Sequence, residues 1–155
     1  MSDAAPARPQ RCVAPDASAV PADTVRAYLE SDYRVAGALP LVLHVDCPSP
    51  ALRALHAAHG VTSSVFVTAC NPLGQLGDAL SNQQRQLALA AALRHLGFAM
   101  FDGVGQHPTN GWPGESSFLV LGPDRDAAID LGVQYEQNAV IWCGEDAVPR
   151  LLLLR

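Results

Sequence analysis

Lysine is missing from this sequence, and all ten basic residues are arginine. Schiff-base catalysis and the phosphate loop that closes on a lysine ammonium are therefore excluded. Positive charge is also in the minority: the formal net charge is −5, and no basic run offsets it. Duplex nucleic acid, which is held mainly by neutralising phosphates, is not an expected partner. Long apolar runs are lacking too. The longest are strand-sized, far short of the ~20 residues of a membrane-spanning helix, so no membrane association is expected.

Cysteine is scarce. Cys12, Cys47, Cys70 and Cys143 are scattered, with no CxxC pair and no signal-peptide pattern, which points to reduced thiols and a cytoplasmic setting. Cys70 and Cys143 end apolar runs and read as small buried hydrophobes. The histidines have no shared metal-ligand spacing, so neither a metal nor a cofactor is expected, and His44, His56, His59 and His95 read as surface residues. A GxSxG elbow is absent, and Gly103 and Gly105 do not complete a GxGxxG.

What the sequence does contain is a foldable core. Hydrophobic residues make up 49% and charged residues 16% of a 155-residue chain, enough for one domain and too short for two. Residues 1–22, rich in Pro and Ala, read as a disordered arm, and 23–155 as a single α/β domain. A short helix from Thr24 precedes an extended piece to Val35. Leu41–Val45 reads as a strand, and Ser49-Pro50 caps a helix that Gly60 ends. Val65–Cys70 is the strongest strand signal, β-branched and aromatic, halted by Asn71-Pro72. Ser81 with Gln84 forms a capping box for a helix closed by Gly97. Phe98–Phe101 reads as a strand, Gly103–Glu115 as a turn-rich loop, Ser117–Leu121 as a strand, and Asp124–Gln134 as a helix. Asn138–Trp142 is a further strand. Leu151–Leu154 is an edge strand or tail.

From Val65 the succession is strand, helix, strand, strand, helix, strand. It predicts a ferredoxin-like βαββαβ sheet core with an N-terminal helix-strand-helix extension. If its crossovers are right-handed, four segments meet at one end of the sheet. They bring together Thr68 and Asn71 after the first strand, and Asn82 and Arg85 at a helix start. His107, Trp112, Glu115 and Ser116 join them from the long loop, and Gln137 and Asn138 from before the last strand. Sheet ends of this kind bind ligands, and a helix N-terminus offers unpaired N–H groups to an anion.

Several short motifs in order, Val65-Phe66-Val67-Thr68-Ala69-Cys70-Asn71-Pro72, Ser81-Asn82-Gln83-Gln84-Arg85, Gly103-Val104-Gly105, Trp112 with Glu115-Ser116, and Gln137-Asn138-Ala139-Val140, resemble the bacterial domain-of-unknown-function family 3293. The likeness spans roughly residues 24–145. Two departures stand out: Ser81 replaces an acidic residue, and Cys70 an aromatic one. The resemblance implies a compact bacterial cytoplasmic domain and brings no activity with it.

The functional expectation is a pocket for a small polar or anionic ligand, such as a nucleotide or phosphorylated metabolite. Asn82, Arg85 and the helix N-terminus would hold the anion, and Asn71 and Gln137 would orient the ligand. Thr68, Trp112, Ser116 and Asn138 would complete the lining. His107 and Glu115, able to exchange protons at moderate pH, would be the catalytic pair if chemistry occurs. One alternative is a protein-interaction module or homo-oligomer that buries the leucine run. The other is a metal-dependent nuclease using Asp102 and Glu115.

Overall fold

The computed structural model describes residues 12–37 and 41–155. Its elements, in chain order, are α1 (Ala22–Glu30), β1 (Asp32–Val35), β2 (Leu41–Leu43), α2 (Pro50–Ala58) and β3 (Ser64–Val67). They continue with α3 (Ala79–Leu96), β4 (Ala99–Gln106), β5 (Glu115–Leu121), α4 (Arg125–Gln134), β6 (Ala139–Cys143) and β7 (Pro149–Leu153). The strands form one antiparallel sheet in the order β2-β1-β4-β5-β3-β6-β7. The chain is thus a mixed α/β fold with four helices and seven strands among the described residues. None of these helices is long and apolar enough to cross a membrane.

The sheet curls. Leu41 and Leu43 of β2 share one hydrophobic cluster with Ile141 and Cys143 of β6. Five strand spacings of ~4.8 Å would hold them about 24 Å apart in a flat sheet. The N–H of Asp46, just past β2, donates to the carbonyl of Pro149 at 2.8 Å, so the two edges of the sheet touch. The concave face packs Tyr33, Val35, Phe66, Leu119 and Leu121 against Leu52 of α2. The convex face sets Val65, Val67, Phe118 and Val120 against Leu89 and Leu93 of α3 and Ile129 of α4. The period-two alternation of β3 and β5 makes this division, since neighbouring side chains leave a strand on opposite faces.

Local chemistry sets the helix ends. The Ser49 side chain accepts from Leu52 N–H with Pro50 at the first turn, and Asp124 accepts from Ala127 N–H. Gly97 ends α3 at φ +81°, a left-handed conformation that glycine adopts without strain.

Several sequence expectations are corrected. The cap of α3 is Asp78, which accepts from the Ser81 N–H at 2.8 Å, rather than a capping box at Ser81; the helix begins three residues earlier than that box implies. β4 runs on through Gln106, so Gly103 and Gly105 are strand residues and the loop is confined to 107–114. Rings lie on both, but only at Gly103 do the neighbours exclude a side chain. A Cβ on Gly103 would sit 2.8 Å from the Phe66 ring and 2.7 Å from the Arg34 carbonyl, and one on Gly105 would meet the Tyr33 ring at 3.4 Å. His56 is buried and bonded through Nε2 to the Ser64 hydroxyl at 2.8 Å, because helical spacing turns it inward beside Leu52.

The leucine run is β7 and its continuation. Leu152 and Leu153 are buried, and Leu151 and Leu154 are partly buried against the two faces of the same sheet, so the run finds its apolar surroundings within the chain. Of the N-terminal arm, residues 1–11 lie outside the described residues. Beyond them, Val13 pairs with Leu153 along the free edge of β7, its N–H donating at 2.9 Å.

Candidate functional site

A cavity of about 300 Å³ opens on the concave face, between the ends of the strands and α1. That volume is at the lower end of the range for small-molecule sites. Its floor is Phe66, Ile141 and Leu151, and its sheet wall is Tyr33, Thr68, Gly105, Glu115 and Ser117. Asp23, Thr24, Ala27 and Tyr28 of α1 close one side, and Asn110 and Trp112 of the 107–114 loop close another. The strand directions explain the gathering. β3 and β4 end where β5 and β6 begin, because each of the latter runs antiparallel to β3.

Seven of the ten candidate residues line this cavity: Thr68, Asn71, His107, Trp112, Glu115, Gln137 and Asn138. Glu115 is set into the wall, half-buried, at the first position of β5. Burial raises its carboxyl above the usual carboxylate range, while hydrogen bonding from the Asn71 amide and the Trp112 indole pulls it down. The Asn71 amide donates to Glu115 Oε1 at 2.7 Å. Asn71 itself is buried at φ +49°, and its Oδ1 accepts from Gly77 N–H at 2.9 Å and from the Asn82 amide at 2.8 Å. Asparagine is among the few residues other than glycine that tolerate this left-handed backbone.

Gln137 is buried, and its amide donates to the carbonyls of Cys70 and Tyr135, both at 3.1 Å. The Asn138 amide donates to the Tyr28 hydroxyl at 3.2 Å, which fastens α1 to the sheet. Burial raises the Tyr28 phenol above its ordinary range, partly countered by that bond. Thr68 donates to the Ser116 carbonyl at 2.6 Å and accepts from Cys70 N–H at 3.0 Å, so its hydroxyl ties β3 to β5.

His107 and Glu115 line the cavity but do not form a pair. His107 Nε2 is bonded to Glu30 at 2.8 Å, and Nδ1 accepts from the N–H groups of Thr109 and Asn110, both at 3.1 Å. The imidazole therefore shapes its loop and latches it to the end of α1.

Three candidates stand behind the cavity. Asn82 accepts from Asn71 N–H at 2.9 Å and positions that residue. Ser116 contributes its carbonyl to Thr68 and turns its side chain to the exposed face. Arg85 clamps two carbonyls, Ala69 through Nε and Tyr135 through an Nη, each at 2.7 Å, with Glu136 3.5 Å away. The anion grip expected of Arg85 and the α3 N-terminus is not assembled: the guanidinium is spent on the backbone, and the Asp78 carboxylate already occupies the helix end. Asp102 lies on the convex side of β4, one residue out of phase with Gly103 and Gly105, and so on the opposite face from Glu115. Among the described residues no three His, Cys, Asp or Glu side chains gather as metal ligands.

A model of the family described as "protein of unknown function (DUF3293)" covers this region. Residues 67–140 match the DUF3293 family. The match takes in just under half of the chain, a narrower span than the motif resemblance, and all ten candidate residues fall inside it. No curated protein and no solved structure matches the chain. Tyr28, Tyr33 and Phe66 lie outside the DUF3293 segment and join Trp112 in the aromatic part of the cavity. Two signals could have found them. Aromatics are only 6% of the sequence, and Phe66 alternates with Val65 and Val67, which sends its ring to the face away from α3 and α4.

Proposed function

We propose that the concave cavity is the functional site and binds a small polar organic ligand, with Glu115 as the group that holds its charge or exchanges its proton. The observation that carries this reading is Glu115 itself, a carboxylate set into the wall of an aromatic-lined cavity and held, among the described residues, by amide and indole N–H groups. Structural carboxylates are seldom placed this way, because desolvating an ionised group is costly unless something pairs with it. Asn71, Gln137 and Asn138 are then wall residues whose hydrogen bonds fix the shape of the cavity, and Asn82 and Arg85 position them from behind. The setting implied by the resemblance, a bacterial cytoplasm, is part of the same reading. So is a ferredoxin-like origin for the segment from β3 to β6, supported by its strand order β4-β5-β3-β6 and by both helices packing on one face.

The test is a thermal-shift screen against amines, amino acids, nucleosides and phosphorylated sugars, repeated with Ala27→Phe, which fills the cavity from α1 without touching the sheet. A ligand at 100 times its Kd stabilises by about 2.7 kcal/mol. For a chain of this size that raises Tm by roughly 5–10 °C. The shift should vanish in Ala27→Phe. Ligands whose shift persists there bind elsewhere and refute the assignment.

An interaction surface is the second reading, and one observation favours it: Leu76, Leu80 and Leu87 are more than 60% exposed along and before α3. Sedimentation of wild type and Leu80→Glu/Leu87→Glu would show a mass change only if these leucines associate.

A further inference from the structure

The charge pattern of the cavity says which class of ligand it takes. No arginine is among its lining residues, and the chain has no lysine. Arg85, the nearest arginine in sequence to Asn71 and Asn82, is bound to the carbonyls of Ala69 and Tyr135. Arg155 comes to the edge of the cavity, reaching Asn138 Oδ1 at 3.5 Å and drawing down the Tyr28 phenol, but Glu115 is shifted by burial and N–H donors and not by that guanidinium. Both ring nitrogens of His107 are engaged away from Glu115, Nδ1 by the N–H groups of Thr109 and Asn110 and Nε2 by Glu30. Asp23, at the mouth, is paired with Arg26 at 3.0 Å. Among the described residues Glu115 is thus a wall carboxylate facing no cation, and the groups that reach it are N–H donors.

Around it stand aromatic rings. Tyr33 and Phe66 meet edge to face, with centroids 5.3 Å apart and planes at 70°, and Tyr28 and Trp112 close the cavity from α1 and the loop. Ring faces carry partial negative charge and attract a cationic nitrogen, most strongly where water is excluded. An anion would face a carboxylate and ring faces together, with no guanidinium among the described lining residues to offset Glu115.

We propose that the occupant is a small organic cation, an amine or quaternary ammonium compound, whose charged nitrogen sits against the Glu115 carboxylate among the rings of Tyr28, Tyr33, Phe66 and Trp112. This rests on the cavity being the functional site, and it replaces the anionic ligand suggested by sequence with the opposite charge. Burial disfavours the ionised form of Glu115 in the empty protein, and the ligand's charge reverses that penalty on binding.

Four probes separate charge from shape: 2-phenylethylamine and choline as cations, 2-phenylethanol as the neutral isostere of the first, and phenylacetate as its anionic counterpart. Each is titrated into wild type, Glu115→Gln and Ala27→Phe, with affinity read from Trp112 fluorescence and calorimetry and folding checked by circular dichroism. The cations should bind wild type roughly tenfold or more tightly than the alcohol, the difference expected of a charge-assisted contact. Phenylacetate should not bind. Glu115→Gln should abolish the preference for the amine and leave the alcohol unaffected. Equal affinity for amine and alcohol, a preference for phenylacetate, or an amine preference that survives Glu115→Gln overturns the charge assignment while leaving the cavity reading in place. Binding that persists in Ala27→Phe overturns the cavity reading and the inference with it. Failure of both cations to bind overturns the inference.

Discussion

Asn71→Ala is the substitution that most directly tests how the cavity wall is built. The Asn71 side chain makes three hydrogen bonds, from Gly77 N–H at 2.9 Å, from the Asn82 amide at 2.8 Å and to Glu115 at 2.7 Å, and its backbone sits at φ +49°. Each of the two neutral bonds is worth about 1 kcal/mol, and the one to the carboxylate about 2 kcal/mol. Alanine adds about 1 kcal/mol of left-handed strain that asparagine largely avoids. Water entering from the cavity recovers part of the Glu115 contact, so the expected loss is about 3–5 kcal/mol. Asn71→Gly separates the parts, because glycine removes the hydrogen bonds but not the backbone tolerance; it should recover about 1 kcal/mol relative to alanine. Urea unfolding followed by far-ultraviolet circular dichroism measures both. An Asn71→Ala loss below about 1 kcal/mol would refute the view that this side chain holds the 71–77 segment against β5.

Three other outcomes are expected. Gly103→Ala pushes a methyl group into the Arg34 carbonyl and the Phe66 ring and should cost about 2–3 kcal/mol by urea unfolding, whereas Gly105→Ala, with ordinary contacts, should cost less than about 1 kcal/mol. Arg85→Ala should destabilise by about 2–4 kcal/mol through the lost charge-assisted bonds to the carbonyls of Ala69 and Tyr135, the latter keeping the Gln137 amide, while leaving affinity for a cavity ligand unchanged; loss of affinity in a variant of intact stability would restore Arg85 to the binding surface. Burial lowers the pKa of His56, so its contribution is present above its unfolded value and lost as pH falls through the folded one. The urea midpoint should therefore drop from pH 7 toward pH 5, and His56→Gln should flatten that drop. Glu115 has the opposite sign: its raised pKa means that stability is lost as pH rises through the folded value, and Glu115→Gln should remove that loss.

Features fixed by near neighbours in the chain were legible in the sequence. Ser49-Pro50, Asp124 and Gly97 mark helix ends because a cap needs only a side chain or a φ angle within a few residues. The βαββαβ succession placed Thr68, Asn71, Glu115 and Gln137 at one end of the sheet because strand direction follows from connection order. Features set by distant partners were hidden. Gly103 and Gly105 look like turn residues until the rings of Phe66 and Tyr33 are seen lying on them. The reach of Arg85 to the Tyr135 carbonyl spans fifty residues, and the role of α1 as a cavity wall depends on a sheet curl that no local pattern records. The four leucines needed no partner protein, only the two sides of a strand whose pairing with β6 is itself long-range information.

The alternation along β3 and β5 also has a mutational consequence. In Val65-Phe66-Val67-Thr68, every second side chain packs under α3 and α4, and the others face the concave side. Adjacent codons therefore answer to different demands, one set to folding and the other to what the cavity admits. A lineage can revise Thr68 or Ser117 while Val67 and Phe118 hold the scaffold still, so the ligand preference of such a protein can drift without its architecture drifting with it.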